Sequence, residues 1–369
     1  MPSIFFIVST FLTLTSSTII TTNIFTAGEQ GYVAFRIPGI TTLANNTVLA
    51  VAEGRRYGCS DFGGQHDLVS KHSNDNGQTW SPLNVVANPT TLFNCNSYFG
   101  QAWKCQFWDP TPVFDADTGL VHLLTAYTSS NTTAARENGV QDIFQFTSYD
   151  NGVTFNQGKN ISHFFGSPNM SPANGHGIQL SSNGEFQGRL VIPVYGTKKQ
   201  YIEMGSGIYY SDDHGKTWES TIPFAPTTAE GDVAELQNGS LLYTLRYDAP
   251  TPECAPFEHC RLFARSDDGG INFASTIRLA LELPDPGCKA GLASRKKDGL
   301  LFFANDANGT QRSDVTLRVS KDEGMSWNEG VLLETSAAGY VDLIVNDEYA
   351  FVIYEQPECG EIVVTRVGI

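Results

Sequence analysis

One arginine stands inside an apolar stretch near the start of the chain, Phe35-Arg36-Ile37-Pro38. A guanidinium drawn into a core needs a carboxylate partner or an anionic ligand. The motif leaves both readings open. A second chemical candidate recurs five times, as Ser-x-Asp-x-Gly-x-(Thr/Ser/Asn)-(Trp/Phe). Its copies begin at Ser73, Ser148, Ser211, Ser266 and Ser320. Calcium wants about six to eight oxygen ligands, and only one carboxylate recurs in every copy. The phrase reads better as a turn with a fastener. The Asp accepts backbone N–H groups, the Gly takes positive φ, and the aromatic pins the turn to a core. The cysteines, Cys59, Cys95, Cys105, Cys254, Cys260, Cys288 and Cys359, include no CxxC pair, so a structural zinc site is not expected. Cys95 with Cys105, and Cys254 with Cys260, are close enough to staple loops in an oxidising compartment.

The elements that would carry these residues are short. Thr47 to Ala52, His122 to Tyr127, Arg189 to Val194, Ser240 to Leu245, Leu300 to Ala304 and Glu348 to Tyr354 are apolar or alternating runs of strand length. Several follow a turn signal such as Asn238-Gly239 or Asp298-Gly299. No long stretch has helical periodicity. Strands marked by a repeated hairpin phrase imply an all-β chain built by radial repetition. Five boxes imply at least five units. The box-free stretch from Ala337 to Ile369, paired with a strand near Thr22 to Phe25, would complete a sixth and tie the chain ends together. The expectation is a six-bladed β-propeller of four-stranded antiparallel sheets, one domain over 21–369. Residues 91 to 108 interrupt the rhythm and read as a surface loop.

The chain has 369 residues and a net charge of −16, which would repel phosphate backbones, so nucleic acid is not an expected partner. Residues 1–20 contain an apolar run resembling a signal peptide, and no second segment has transmembrane length. Six Asn-x-Ser/Thr triplets, at Asn45, Asn131, Asn160, Asn169, Asn238 and Asn308, fit a secretory route. A secreted, extracellular or lumenal location is expected, lysosomal delivery included.

Phe-Arg-Ile-Pro followed by the five boxes resembles the exo-α-sialidase (neuraminidase) family of bacterial and animal type, from about Thr22 to Val367. The resemblance implies roles for unrepeated residues. Ala52-Glu53-Gly54-Arg55-Arg56, then Cys59-Ser60-Asp61, is similar to the segment bearing a pocket arginine and the acid/base aspartate, which implies Arg55 and Asp61. Ala229-Glu230-Gly231-Asp232-Val233-Ala234-Glu235-Leu236 is similar to the segment with the catalytic glutamate, implying Glu230, with Glu235 as the rival. Leu245-Arg246-Tyr247 and Gln311-Arg312 would join Arg36 as an arginine triad for the substrate carboxylate. Tyr340-Val341-Asp342-Leu343 resembles the nucleophile motif, with Val in place of Ser, and implies Tyr340. Tyr354-Glu355 implies Glu355 as the counter-charge to Arg36. Trp108-Asp109-Pro110 carries Asp109 where the family usually has Asn. Gly175-His176-Gly177 resembles a segment bordering the site.

Taken singly, each has a plain structural alternative: Asp61 a turn residue, Tyr340 core packing, Glu355 a surface charge, Arg246 and Arg312 strand-edge cations, His176 a satisfied histidine. The resemblance implies release of terminal α-linked sialic acid from glycoproteins, glycolipids or oligosaccharides with retention, with no cofactor and no metal. Alternatives are transfer to another acceptor, intramolecular transfer, or a sialoside-binding propeller without turnover.

Overall fold

The computed structural model describes residues 19–61, 64–92, 105–128, 142–165, 168–181, 184–198, 204–221, 224–247, 252–255, 259–274, 276–357 and 360–369. β1 (Ile19–Thr26) leads in. β2 (Ala34–Thr42), β3 (Val48–Arg55), β4 (His66–Ser73) and β5 (Asn84–Ala87) then form an antiparallel meander. β6 (Gln106–Asp115), β7 (Leu120–Thr128), β8 (Asp142–Ser148) and β9 (Lys159–Asn160) repeat the pattern. The next group is broken at both edges. β10 (Pro168–Pro172) and β11 (Ile178–Gln179) both pair with β12 (Leu190–Lys198). β13 (Gly205–Ser211) pairs with β12, β14 (Glu219–Ser220) and β15 (Ala225–Pro226).

Two plain meanders follow: β16 (Thr228–Glu235), β17 (Leu241–Tyr247), β18 (His259–Ser266), β19 (Arg278–Asp285), then β20 (Gly291–Arg295), β21 (Leu300–Asp306), β22 (Ser313–Ser320), β23 (Val331–Ala337). β24 (Gly339–Val345), β25 (Tyr349–Gln356) and β26 (Glu361–Gly368) take β1 as their fourth strand, with Ile19 opposite Val367. The chain ends are thereby joined, as the sequence led us to expect.

The molecule is an all-β propeller whose described strands form five sheets. One of them has eight strands, because a single parallel bridge, His66 to Gln106, joins the β2–β5 and β6–β9 meanders. Among the described residues no helix is long and apolar enough to cross a membrane. The surface loop expected at 91 to 108 ends earlier, since Gln106, Phe107 and Trp108 open β6. Most of the rest of that stretch, with Cys95 and Trp103, lies outside the described residues.

Packing explains why the strands read as apolar runs rather than clean alternations. Each sheet is covered on both faces by its neighbours, so both sides of a strand are buried. In β21, Leu301 and Phe303 face one core with Phe263 and Leu242, while Phe302 and Ala304 face another with Val352 and Val363. In β3, Val48, Ala50 and Ala52 pack with Phe35 and Phe351, whereas Leu49 and Val51 pack with Phe107 and Phe146.

The boxes form the turns after β4, β8, β13, β18 and β22. In the first, Ser73 Oγ accepts the Gly77 N–H at 2.8 Å. Asp75 Oδ1 accepts the Thr79 N–H at 2.8 Å, and Oδ2 takes the Thr79 hydroxyl at 2.6 Å. Slight burial opposes ionisation of Asp75, but these bonds hold its carboxyl down at about 2. The carboxylate oxygens are engaged by the turn itself, which is the fastener reading. Each box glycine also lies against the preceding unit. Gly77 meets Phe351, Gly152 meets Leu49, Gly215 meets His122, Gly270 meets Ile208 and Gly324 meets Leu242. At Gly152 (φ 77°) a Cβ would stand 2.9 Å from Leu49 Cδ1, so the box needs Gly for space as well as for backbone.

Of the expected loop staples, Cys254–Cys260 is present. Cys59 and Cys105 are also disulfide-bonded, and Cys288 is a buried free thiol. Cys95 and Cys359 lie outside the described residues.

Candidate active site

First strands of neighbouring units meet around the centre: β2 on β6 and β24, β20 on β16 and β24, and β11 on β6 and β16. Four of these strands break register near one end. The slips fall between Arg36 and Gly39, Trp108 and Thr111, Thr228 and Gly231, and Gly339 and Asp342. Ile37 (φ 57°), Asp109 (φ 52°) and Tyr340 (φ 51°) take left-handed backbone at three of them. For a β-branched residue such as Ile37 that is a strained position. A bulge re-aims the side chains beside it, and here it presents Arg36, Glu230 and Tyr340 to a shared space. Pro38 and Pro110 sit in two of the bulges, where a missing ladder N–H costs least.

The side chains converge as one charged chain. Glu355 holds Arg36, with Oε2 3.1 Å from Nε, and its Oε1 accepts the Ile37 N–H at 2.8 Å. Arg36 Nη1 reaches Asp61 Oδ1 at 2.9 Å. Arg55 Nη2 donates to the same Asp61 oxygen at 2.9 Å and to Glu53 Oε2 at 2.7 Å. Arg55 Nη1 also donates to the Cys59 carbonyl. Burial alone would discharge Arg36, but Glu355 and Asp61 raise its pKa above the usual value. Burial likewise opposes ionisation of Glu53, and Arg55 and His66 overcome it, holding the carboxyl at about 2.

On the other side, Arg246 Nη1 pairs with Glu230 Oε2 at 2.9 Å. The Tyr340 hydroxyl donates to Glu230 Oε1 at 3.5 Å. Arg36 and Arg312 flank the Tyr340 ring, with guanidinium carbons 5.1 and 5.4 Å from its centroid. Burial raises the Tyr340 hydroxyl well above the usual phenol value, Glu230 adds to this, and Arg246 and Arg36 offset it. Among the described residues the Arg312 side chain makes no ion pair; its hydrogen bond is a long 3.4 Å contact to the Gly287 carbonyl. Arg36, Arg312, Glu355, Gln311 and the small residues Ala337, Ala338 and Gly339 line a cavity of about 530 Å³.

Asp61, Arg55, Arg36, Glu355, Tyr340, Glu230, Arg246 and Arg312 are therefore brought together. Glu235 is not: five residues along β16, its carboxylate accepts the Ser181 N–H and hydroxyl. His176 is buried against Asp342, and Asp109 accepts the Ser171 and Tyr195 hydroxyls. Glu53 was missed by sequence reasoning. The signal was available, since Glu53 and Arg55 are two apart in one strand and so share a face. Two groupings have metal-ligand types, Asp115–Asp117–His214 and His176–Asp232–Asp342. Asp115 already takes Gln179, Thr118 and His214, and Lys289 supplies a cation to the second group. Neither includes a residue lining the cavity beside Arg36 and Arg312.

A BNR repeat-like domain family matches residues 47–353. A sialidase of Micromonospora viridifaciens is 27% identical over 357 residues, 90% of this chain and 51% of its own length. A sialidase of Bacteroides fragilis is 27% identical over 89% of this chain and 61% of its own length. The chain thus spans about half to three-fifths of these bacterial relatives. An exo-alpha-sialidase of Arthroderma benhamiae is 27% identical over 85% of this chain and 74% of its own length. Among solved structures, a Hadza microbial sialidase superposes with TM-score 0.81 at 23% identity, covering 93% of this chain and 67% of that one. The intramolecular trans-sialidase of Ruminococcus gnavus superposes with TM-score 0.76 at 17% identity, covering 94% and 97%. These likenesses place the fold beside the match in sequence: the chain belongs to the BNR repeat-like family and, within it, is similar to sialidases.

Proposed function

We propose that the protein is an exo-α-sialidase that hydrolyses terminal α-linked sialic acids from glycoproteins, glycolipids or oligosaccharides with retention. One observation carries the reading. A tyrosine hydroxyl lies 3.5 Å from a glutamate and is flanked by two guanidinium groups, with a third on that glutamate. Sialic acid bears a carboxylate on its anomeric carbon. Planar guanidinium forks match that group in charge and shape, and Arg36, Arg246 and Arg312 would receive it. A carboxylate nucleophile would be repelled by the same substrate group, whereas a phenol is neutral until activated. In the proposed sequence Glu230 takes the Tyr340 proton as Tyr340 Oη attacks the anomeric carbon. Asp61 gives its proton to the departing glycosidic oxygen, then takes one from the water that breaks the Tyr340–sugar bond. Glu230 returns its proton to the phenolate. Two displacements retain configuration. In the unliganded site the Asp61 carboxylate rests on Arg36 and Arg55; a substrate carboxylate competes for Arg36 and frees an Asp61 oxygen, which takes up a proton from solvent and so carries the one the leaving group receives. Arg55 and Glu53 hold Asp61 in place.

A six-bladed architecture belongs to the same proposal. It treats the β2–β5 and β6–β9 meanders as separate blades bridged at His66–Gln106, and the box contact of Gly77 on Phe351 supports a closed ring. A secretory or lumenal destination is supported by the Cys254–Cys260 bridge; the signal peptide expected at residues 1–20 would then end before Ile19, where β1 begins.

The test is hydrolysis of a fluorogenic α-sialoside by wild type, Tyr340→Phe and Asp61→Ala, with products followed by NMR in the presence of lactose. Wild type should release α-sialic acid first, and both variants should lose most of the rate. Inert wild type that still binds sialoside would make it a binding propeller. A sialyl-lactose or an internal anhydro product would make it a transferase.

A further inference from the structure

Two residues along the strands from Tyr340 and Glu230 lies a buried ion cluster that the proposed mechanism does not use. Lys289, which precedes β20, has a fully buried side chain. Its ammonium is 2.8 Å from Asp342 Oδ1 and 3.4 Å from Asp232 Oδ2. Asp342 follows Tyr340 by two residues on β24. Asp232 follows Glu230 by two residues on β16. Each carboxylate therefore sits just past the bulge that presents its neighbour. Both carboxylates are bolted further. Asp342 Oδ2 accepts the Ile40 N–H of β2 at 2.9 Å, and Asp232 Oδ2 accepts the Leu292 N–H of β20 at 3.1 Å. His176 Nδ1 adds contacts at 3.0 Å to Asp342 and 3.6 Å to Asp232. The Val341 N–H, between nucleophile and anchor, donates to the Lys289 carbonyl at 3.3 Å. The Tyr340 N–H donates to Sγ of the adjacent Cys288, also at 3.3 Å. Space around the ammonium is tight: a Cβ at Gly175 would stand 2.3 Å from Nζ.

Two charged pairs with no access to water are a costly way to hold strands together; apolar packing of equal volume often does as well. What such a cluster adds is a single defined geometry. We propose that Lys289 is a positioning residue for the reaction: by clamping Asp232 and Asp342 it sets Glu230 and Tyr340 at the separation proton transfer needs. The inference rests on the sialidase reading, but its structural half can be tested without turnover.

Lys289→Met alone would leave two buried aspartates with only His176 between them, and that chain can fail to fold. The informative variant is Lys289→Met with Asp232→Asn, which removes one charge of each sign and keeps an acceptor for the Leu292 N–H. Two readings are taken on folded protein. In steady-state kinetics with a fluorogenic α-sialoside, kcat should fall at least ~10-fold, given that ~1 Å of misplacement can cost ~100-fold. KM should stay within ~2-fold, because the arginines are untouched. In ζ-13C-tyrosine NMR, the Tyr340 resonance, assigned with Tyr340→Phe, should move in the variant. A folded variant with wild-type kcat and an unmoved Tyr340 resonance overturns the proposal. A fall in melting temperature with both readings unchanged means a purely structural cluster and overturns it too. If the wild type releases no sialic acid, the sialidase reading fails, and a moved or unmoved Tyr340 resonance still decides whether Lys289 positions it.

Discussion

Arg312 offers the sharpest quantitative test of the proposed carboxylate site. Arg36 is neutralised by Glu355 and Asp61, and Arg246 by Glu230, whereas Arg312 makes no ion pair among the described residues. Its charge is the one left over for a ligand. A charge-assisted hydrogen bond contributes about 1.5–3 kcal/mol, which is about 10- to 150-fold in binding. Arg312→Met should raise KM for an α-sialoside by about that factor. Arg312→Lys should recover part of the loss, since the charge remains but the fork does not. The substrate carboxylate is present before and during the reaction, so kcat should change much less than KM. Because Arg312 is exposed and unpaired, its loss should shift folding stability by no more than about 0.5 kcal/mol. Initial rates over a range of fluorogenic sialoside, with urea denaturation of the same preparations, measure both. A KM for Arg312→Met within about twofold of wild type would refute the carboxylate assignment. So would a KM rise matched by an equal loss of stability.

Glu230→Gln should lower kcat by about 100-fold or more, as expected for loss of a general base, whereas Glu235→Gln should leave it near wild type because its carboxylate serves Ser181. Equal losses in the two would undo the choice between them. Glu53 predicts the acid side of the stability profile. Its carboxyl is held at about 2 against an ordinary value of 4.5, so its contribution is complete above about pH 4.5 and disappears as pH falls toward 2. That contribution is on the order of 3 kcal/mol. Urea denaturation at several pH values should show Glu53→Gln less stable at neutral pH and flatter over that acid window; an unchanged acid limb would contradict the Arg55 pairing.

Much of this architecture could be read from residue types because it rests on local patterns. The box states its own hydrogen bonds, since Ser, Asp, Gly and Thr satisfy one another within eight residues. All six apolar runs expected as strands became second strands of their units: β3, β7, β12, β17, β21 and β25. They are the most fully covered, hence the most apolar. The site residues were legible only through their joint resemblance to a family, because Asp61 or Glu355 alone carries no distinguishing pattern. The buried Lys289 cluster was not legible. His176, Asp232, Lys289 and Asp342 come from four distant segments, and a buried lysine looks in sequence like any surface cation. Bulges were half-visible: Pro38 and Pro110 mark two, and a strand glycine, Gly231 beside Glu230 and Gly339 beside Tyr340, is the weaker mark of the others.

The proposed reaction requires Tyr340 to form the covalent bond to the sugar. The direct measurement is incubation with a sialic acid derivative bearing fluorine at C3 and fluoride as leaving group at the anomeric carbon. The first slows breakdown of the intermediate and the second speeds its formation. Proteolysis and mass spectrometry then locate the label. One equivalent is expected on the Tyr340 side chain, absent from Tyr340→Phe. A label on Glu230 or any other residue, or none on an enzyme that turns over α-sialosides, would contradict it.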